Sequence, residues 1–230
     1  MPVVSDVPMP SNARGLLRHE RIRKYTRAKP GLKDVLVELA RRVEDEYLLK
    51  PAVAYEIHPL NRVAQERFRG EGVTASSYNA FLGPLSAKCH HFAAVVCTIG
   101  PWVEEEMADY SENRRFSRAI LLDSIGNAAL DSLCKKARQL VTSQALQQGL
   151  FGTDLSSQDK HVPLSWGQCG VLDLVPAEEI GVTMTSRGLV FPQKSAWMLM
   201  GLQSQPSPLS GAKDYVCAVS EEVAVTASVR

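Results

Sequence analysis

PLSWGQCGVLDLVPAEEIGVTMTSRGLVFPQKSAWMLMGL, residues 163 to 202, is the stretch whose reading decides the fold. Within it VTMTS (Val182 to Ser186) alternates as a strand does, and Arg187 and Gly188 supply turn chemistry. SAWMLMGL (Ser195 to Leu202) is apolar on both faces, the pattern of a strand buried inside a sheet. A β-hairpin around Pro192 is the simplest arrangement of these pieces. A second continuous apolar strand, HFAAVVCTI (His91 to Ile99), ends at Gly100, and Pro101 suits the first turn of a helix. The acids of that helix, Glu104, Glu105 and Glu106, sit near the positive end of its dipole.

Working outward, Leu32 to Leu49 is an amphipathic helix stopped by Pro51, and Ala52 to His58 is a strand. Residues Val73 to Leu85 hold a short helix. A long helix runs from about Arg114 to Gln147, with Ala119, Leu122, Ala129, Leu130, Leu133, Cys134, Ala137, Leu140 and Val141 on one broad apolar face. Leu121, Ile125 and Ala128 form a second strip, so the middle of this helix is covered from two directions. After Gly149, GTDLSSQDKH is a polar, flexible stretch; SQPSPLSGAKD is a loop, and the tail from Tyr215 adds one more short strand. No repeat is present. Helices interspersed with hairpin-like strands predict an α+β fold, with residues 1–30 as an N-terminal arm and 31–230 as a single domain.

Composition narrows the function classes. A chain of 230 residues, 45% hydrophobic, can bury a substantial core, and a net charge of +1 gives no global argument for nucleic acid or an anionic membrane as partner. Between Arg14 and Lys33 eight basic residues face one acid, Glu20, but stacking aromatics are nearly absent, so the segment reads as a solvated arm. Five cysteines, Cys89, Cys97, Cys134, Cys169 and Cys217, odd in number and without a C-x-x-C pair, predict reduced thiols in a cytoplasmic protein. The longest apolar run falls far short of a membrane span, and MPVVSDVPMPSN has neither a basic nor an apolar signal region.

Most chemical motifs are excluded. His90 and His91 are adjacent at the start of a strand and point to opposite faces, and His58, His161 and His19 lack partners at metal-ligand spacing. There is no G-x-S-x-G, P-loop or G-x-G-x-x-G. Asp159 and His161 fit the first part of D-x-H-x-x-G, the pattern of histidine-ligated cobalamin modules, but Leu164 stands where the glycine belongs. The chain therefore does not carry its own corrinoid in that way. Trp102, Trp166 and Trp197 suit packing or stacking on a planar ligand. The polar feature that demands explanation is Asp123, inside the apolar face of the long helix, with Asn127 and Asp131 drifting toward the rim. A carboxylate there needs a backbone donor, an arginine or a ligand, and structural satisfaction and a ligand-lining row are both open.

The combination of TIGP (Thr98 to Pro101), LLDSIGNAALDSL (Leu121 to Leu133) and the 163–202 block resembles the reactivation domain of cobalamin-dependent methionine synthase and its free-standing relatives. Those relatives show T-I-G-P after a buried strand, then l-D-a-I-G-s-a-a-v-E, w-P-L-x-x-Q, i-G-V-x-L-T and m-x-P-x-K-S. The matching residues are Thr98, Ile99, Gly100 and Pro101; Asp123, Ile125, Gly126 and Asp131; Pro163, Leu164 and Gln168; Gly181, Val182 and Thr185; Pro192, Lys194 and Ser195. The resemblance covers about Leu32 to Leu202 and implies an antiparallel sheet flanked by helices, forming a curved surface that binds S-adenosylmethionine and caps cobalamin carried by a partner.

By that resemblance the chain is an accessory protein of corrinoid-dependent methyl transfer, in methionine biosynthesis. It docks on a corrinoid-binding protein or methyltransferase and assists remethylation of cobalt after an electron arrives from a flavodoxin-like or iron–sulfur donor. The cofactors carry the chemistry. Implied groove residues are Asp123, Asn127 and Asp131 on one side, with Pro163, Gln168, Ser195 and Met200 opposite; no metal ligand or catalytic side chain is implied. There are departures. Where the synthase presents an R-P-A-P-G-Y loop to the methyl donor, this chain has SSQDKHVPL; the family's acidic ligand on the long helix falls at Asn127, its aromatic on the last strand near Met200, and PLSWGQ is one residue too long. A missing arginine costs a substrate carboxylate on the order of 2 to 3 kcal/mol. A non-catalytic ligand-binding or scaffold subunit, and a methyltransferase component with another donor, are the alternatives.

Overall fold

The computed structural model describes residues 3–5, 7, 13–19, 22, 23, 27, 30–60, 89–156, 171–186 and 188–205. In chain order the main elements are β1 (Val3–Ser5), α1 (Ala13–Arg18), α2 (Lys33–Asp45), β2 (Ala52–Pro59), β3 (His91–Thr98), α3 (Trp102–Glu112), α4 (Phe116–Gln147), β4 (Phe151–Ser156), β5 (Thr183–Met184), β6 (Val190–Phe191) and β7 (Ser195–Gln203). The expected helix at Val73 to Leu85 and strand after Tyr215 lie outside the described residues.

The two apolar strands lie side by side at the middle of the five-stranded sheet, whose order is β1-β2-β3-β7-β4 with every pairing antiparallel. Continuous apolarity is required there because both faces are covered. On one face Val53, Tyr55, Ala93, Val95, Cys97, Ala196, Met198, Met200 and Leu202 join the helices in one core; on the other Ala54, Phe92, Ala94, Val96 and Leu199 pack on Val171, Leu174, Val175 and Val182. The fold is α+β, an antiparallel sheet flanked by helices.

α4 is the principal helix on its face, and both strips read from the sequence are buried, Leu122, Leu130 and Leu133 on one and Leu121, Ile125 and Ala128 on the other. α2 buries Leu36, Leu39, Ala40 and Val43, the i, i+3, i+4, i+7 stripe of an amphipathic helix. It ends at Asp45, before Leu49, because Tyr47 turns to φ 52° and Leu48 N–H reaches back to Val43 O at 3.1 Å. α2, α3 and α4 are tied at Tyr110. Arg42 donates to its hydroxyl at 2.5 Å and pairs with Glu106 at 2.6 Å, while Arg118 reaches Glu38 at 2.7 and 2.9 Å.

Four expectations change. The hairpin is not formed around Pro192: β5 pairs with β6 in a separate two-stranded sheet, turned where Thr185 N–H donates to Leu189 O and Gly188 adopts φ 76°. β7 instead pairs with β3 and β4, so the alternating VTMTS strand and the apolar strand belong to different sheets. The stretch after Gly149 begins with β4, an edge strand whose register shifts between Gly152 and Ser156; a polar, bulged edge lacks the period-two signal that sequence reading requires. Before residue 30, β1 extends the sheet, α1 packs on α2 and α4, and Val7, Leu16 and Ile22 are buried, so this segment is not merely solvated. Cys89 and Cys97 are buried thiols outside any disulfide, but Cys134 is disulfide-bonded, against the expectation of thiols throughout. Which cysteine forms a disulfide is a tertiary fact that spacing does not disclose.

Candidate functional site

The end of the β3–β7 ladder is where the distant motifs meet. Thr98 and Ser195 are register partners, and Ser195 Oγ lies 3.0 Å from Thr98 Oγ1, which also accepts from Gly100 N–H at 3.1 Å. Ile99 N–H donates to Lys194 O at 3.1 Å, continuing the ladder by one bond. Gly100 then turns at φ 81°, where a Cβ would stand 3.1 Å from Lys50 Cβ, so both conformation and space call for glycine. Pro101 follows as the residue before α3.

Lys194 is the hub, and it is only 8% exposed. Its backbone N–H donates to Glu104 Oε1 at 2.5 Å, fastening β7 to the first turn of α3. Its ammonium lies 2.5 Å from Asp123 Oδ1 and 2.7 Å from Asn127 Oδ1, fastening β7 to α4. Asn127 Nδ2 donates in turn to Asp123 Oδ2 at 3.0 Å. Gly126 makes room for the crossing: a Cβ there would meet Val103 Cγ1 at 3.1 Å and Lys194 Cε at 3.4 Å. The glycine of D-x-I-G-N and the lysine of P-x-K-S are thus two halves of one contact.

The expected site residues divide. Asp123 and Asn127 come together at the Lys194 ammonium, while Ser195, the next residue in β7, donates to Thr98. Asp131, one turn beyond Asn127, lies 3.7 Å from His19 Nε2 of the N-terminal segment. Met200 is 6% exposed within the helix-side core. Pro163 and Gln168 lie outside the described residues. Sequence reading matched Lys194 to the family motif without placing it in the site; the signal was the demand that a carboxylate on an apolar helix face find a partner, and the partner is a lysine 71 residues away.

Next to this cluster, burial pushes the Cys97 thiol up to about 12. Among the described residues no group of three or more His, Cys, Asp or Glu is placed to hold a metal, and no helix is long and apolar enough to cross a membrane. A cavity of about 460 Å³ runs along α2, lined by residues such as Asp34, Glu38, Arg42 and Glu46, away from the Lys194 cluster.

An α+β domain with this sheet order, and with its last strand fastened to the first and middle turns of two helices, defines the structural class. No protein-family model matches the chain, and no curated protein matches it in sequence. Among solved structures it is similar to the MetH reactivation domain bound to AdoHcy, with a TM-score of 0.55 and 12% sequence identity over 90% of this chain and 80% of that one. The likeness is one of fold.

Proposed function

We propose that the chain is an accessory protein of corrinoid-dependent methyl transfer, docking on a cobalamin-bearing partner and assisting its reductive methylation with S-adenosylmethionine. The observation that carries this reading is that TIGP, the aspartate-to-asparagine turn of α4 and P-x-K-S, distant in sequence, meet at the end of the β3–β7 ladder, where Ser195 bonds Thr98 and the neighbouring Lys194 bonds Asp123 and Asn127. The neighbour of the same fold is bound to AdoHcy, a relative of that methyl donor. Cobalamin would be held by the partner, and an electron donor of flavodoxin-like or iron–sulfur type would complete the cycle.

Titration calorimetry with S-adenosylmethionine, and retention of a cobalamin-loaded corrinoid protein on the immobilised chain, test the two halves. Heat on titration together with retention is the expected pair of results. Absence of both heat and retention refutes the proposal.

A second reading, a scaffold or ligand-binding subunit that kept the fold and lost the methyl donor, is favoured by two specific features. Lys194 already occupies the polar row that would face the ligand's cation, and SSQDKHVPL lacks the arginine that would pair with its carboxylate. Retention of the corrinoid partner without heat from S-adenosylmethionine is the outcome this reading expects.

A further inference from the structure

None of the described residues from Thr183 to Phe191 is buried, and three of them are large and apolar: Met184 is 41% exposed, Leu189 54% and Phe191 47%. The base of this β5–β6 hairpin is fixed, because Val182 on one side is 1% exposed in the second core and Pro192 on the other is buried. The turn is closed by its own bonds, Thr185 N–H to Leu189 O at 2.8 Å and Leu189 N–H to Thr185 Oγ1 at 3.1 Å. Exposed apolar residues scattered singly need no explanation, but three on one short, fixed protrusion do. Cross-strand partners share a face, so Phe191 lies with Thr183 on one face of the hairpin and Met184 with Val190 on the other. A sheet that docks flat has one apolar face; a hairpin apolar on both asks for a medium that surrounds it. The three side chains expose on the order of 300 Å², at about 200 Å² for a large side chain, against about 800 Å² that each partner gives to a standard protein interface. Charge points the same way. No Asp or Glu occurs from Gly181 to Gln203, the one charge within the hairpin sequence is Arg187, and the acids nearest before it, Glu178 and Glu179, precede the buried Val182.

We infer that the β5–β6 hairpin is a finger that seats the chain on an anionic lipid bilayer, with Met184, Leu189 and Phe191 entering between the headgroups. The seat is shallow. Among the described residues β5 and β6 pair with each other alone, so their outer backbone groups need water or headgroups and do not enter the hydrocarbon. The absence of acids leaves nothing in this segment to be repelled by anionic headgroups. A net charge of +1 supplies no long-range attraction, so attachment depends on the finger and is weak and reversible. The inference goes beyond the function proposed above and does not rest on it.

Sedimentation of the full chain with sucrose-loaded vesicles tests it, using phosphatidylcholine alone and an equimolar mixture with phosphatidylglycerol. The native chain is expected to sediment with the mixed vesicles, and less with phosphatidylcholine alone. Leu189→Ser combined with Phe191→Ser should lower the partition coefficient about tenfold, the effect of withdrawing two half-exposed apolar side chains from the interface, and leave the melting temperature unchanged. Leu189→Trp keeps the apolar character and reports on the tip itself: its emission, taken against that of the native chain, should shift to the blue when mixed vesicles are added. No partitioning into either vesicle, partitioning undiminished in the serine variant, or complete release by high salt, which marks adsorption by charge alone, overturns the inference. An unshifted emission from Leu189→Trp overturns it even if the serine variant fails to fold. Self-association that the serine variant abolishes, without vesicle binding, assigns the hairpin to a protein interface and likewise removes the lipid.

Discussion

Replacing the two partners of the Lys194–Asp123 pair one at a time gives unequal losses, because they are unequally buried. The lysine side chain is 11% exposed and the aspartate 39%. Asp123→Ala leaves the ammonium in the drier position with Asn127 Oδ1 as its remaining side-chain acceptor among the described residues. The cost falls at the lower end of that for breaking a buried pair, about 3 kcal/mol. Lys194→Met leaves a carboxylate that water can reach, so the loss is that of a charge-assisted hydrogen bond partly replaced by hydration, about 1.5 to 2 kcal/mol. Asp123→Ala should therefore lower the melting temperature by roughly 6 to 12 °C, and Lys194→Met by about half as much, at 2 to 4 °C per kcal/mol for a chain of this size. The double variant should be more stable than the sum predicts by about 1 to 2 kcal/mol, since each single change strands the other group. Urea unfolding followed by tryptophan fluorescence measures all three. The reasoning is refuted if Lys194→Met costs as much as Asp123→Ala, or if the two losses simply add.

Thr98→Val should cost about 1 to 3 kcal/mol in the same assay, because the buried Gly100 N–H and Ser195 hydroxyl lose their shared partner. Ser195→Ala should cost less, since Thr98 keeps its bond from Gly100. Gly126→Ala should destabilise by roughly 1 kcal/mol even though alanine is the better helix former, because the new methyl presses on buried Val103 and on a lysine held by two bonds. The buried Cys97 thiol, with its folded-state value near 12 against about 9 for an exposed one, stays protonated after the unfolded chain has ionised. Its contribution is complete below pH 9 and declines by about 1.4 kcal/mol per pH unit from 9 to 12; Cys97→Ala should flatten that part of the stability profile. A thiol reagent applied to the folded chain at neutral pH should leave Cys97 unmodified.

Local patterns carried the reading of α4, β2, β3 and β7, since period 3.6 and unbroken apolar runs are properties of consecutive residues. β4 escaped because an irregular, polar edge strand owes its conformation to hydrogen bonds from β7 rather than to its own residues. The hairpin was misplaced for a related reason: turn residues announce a reversal at Gly188, but which strand receives the next segment depends on partners elsewhere in the chain.

By itself the sequence determined the class of fold, the buried strands and the two-sided helix, and it marked Asp123 as a carboxylate in need of a partner. Only the tertiary structure decided that the partner is Lys194, that Asn127 joins them while Asp131 turns to His19, and that Met200 lies in the core. The physical reason is range. Periodicity and propensity act over a few residues, whereas a part-buried ion pair forms wherever the packed sheet and helices deliver two opposite charges, here 71 positions apart.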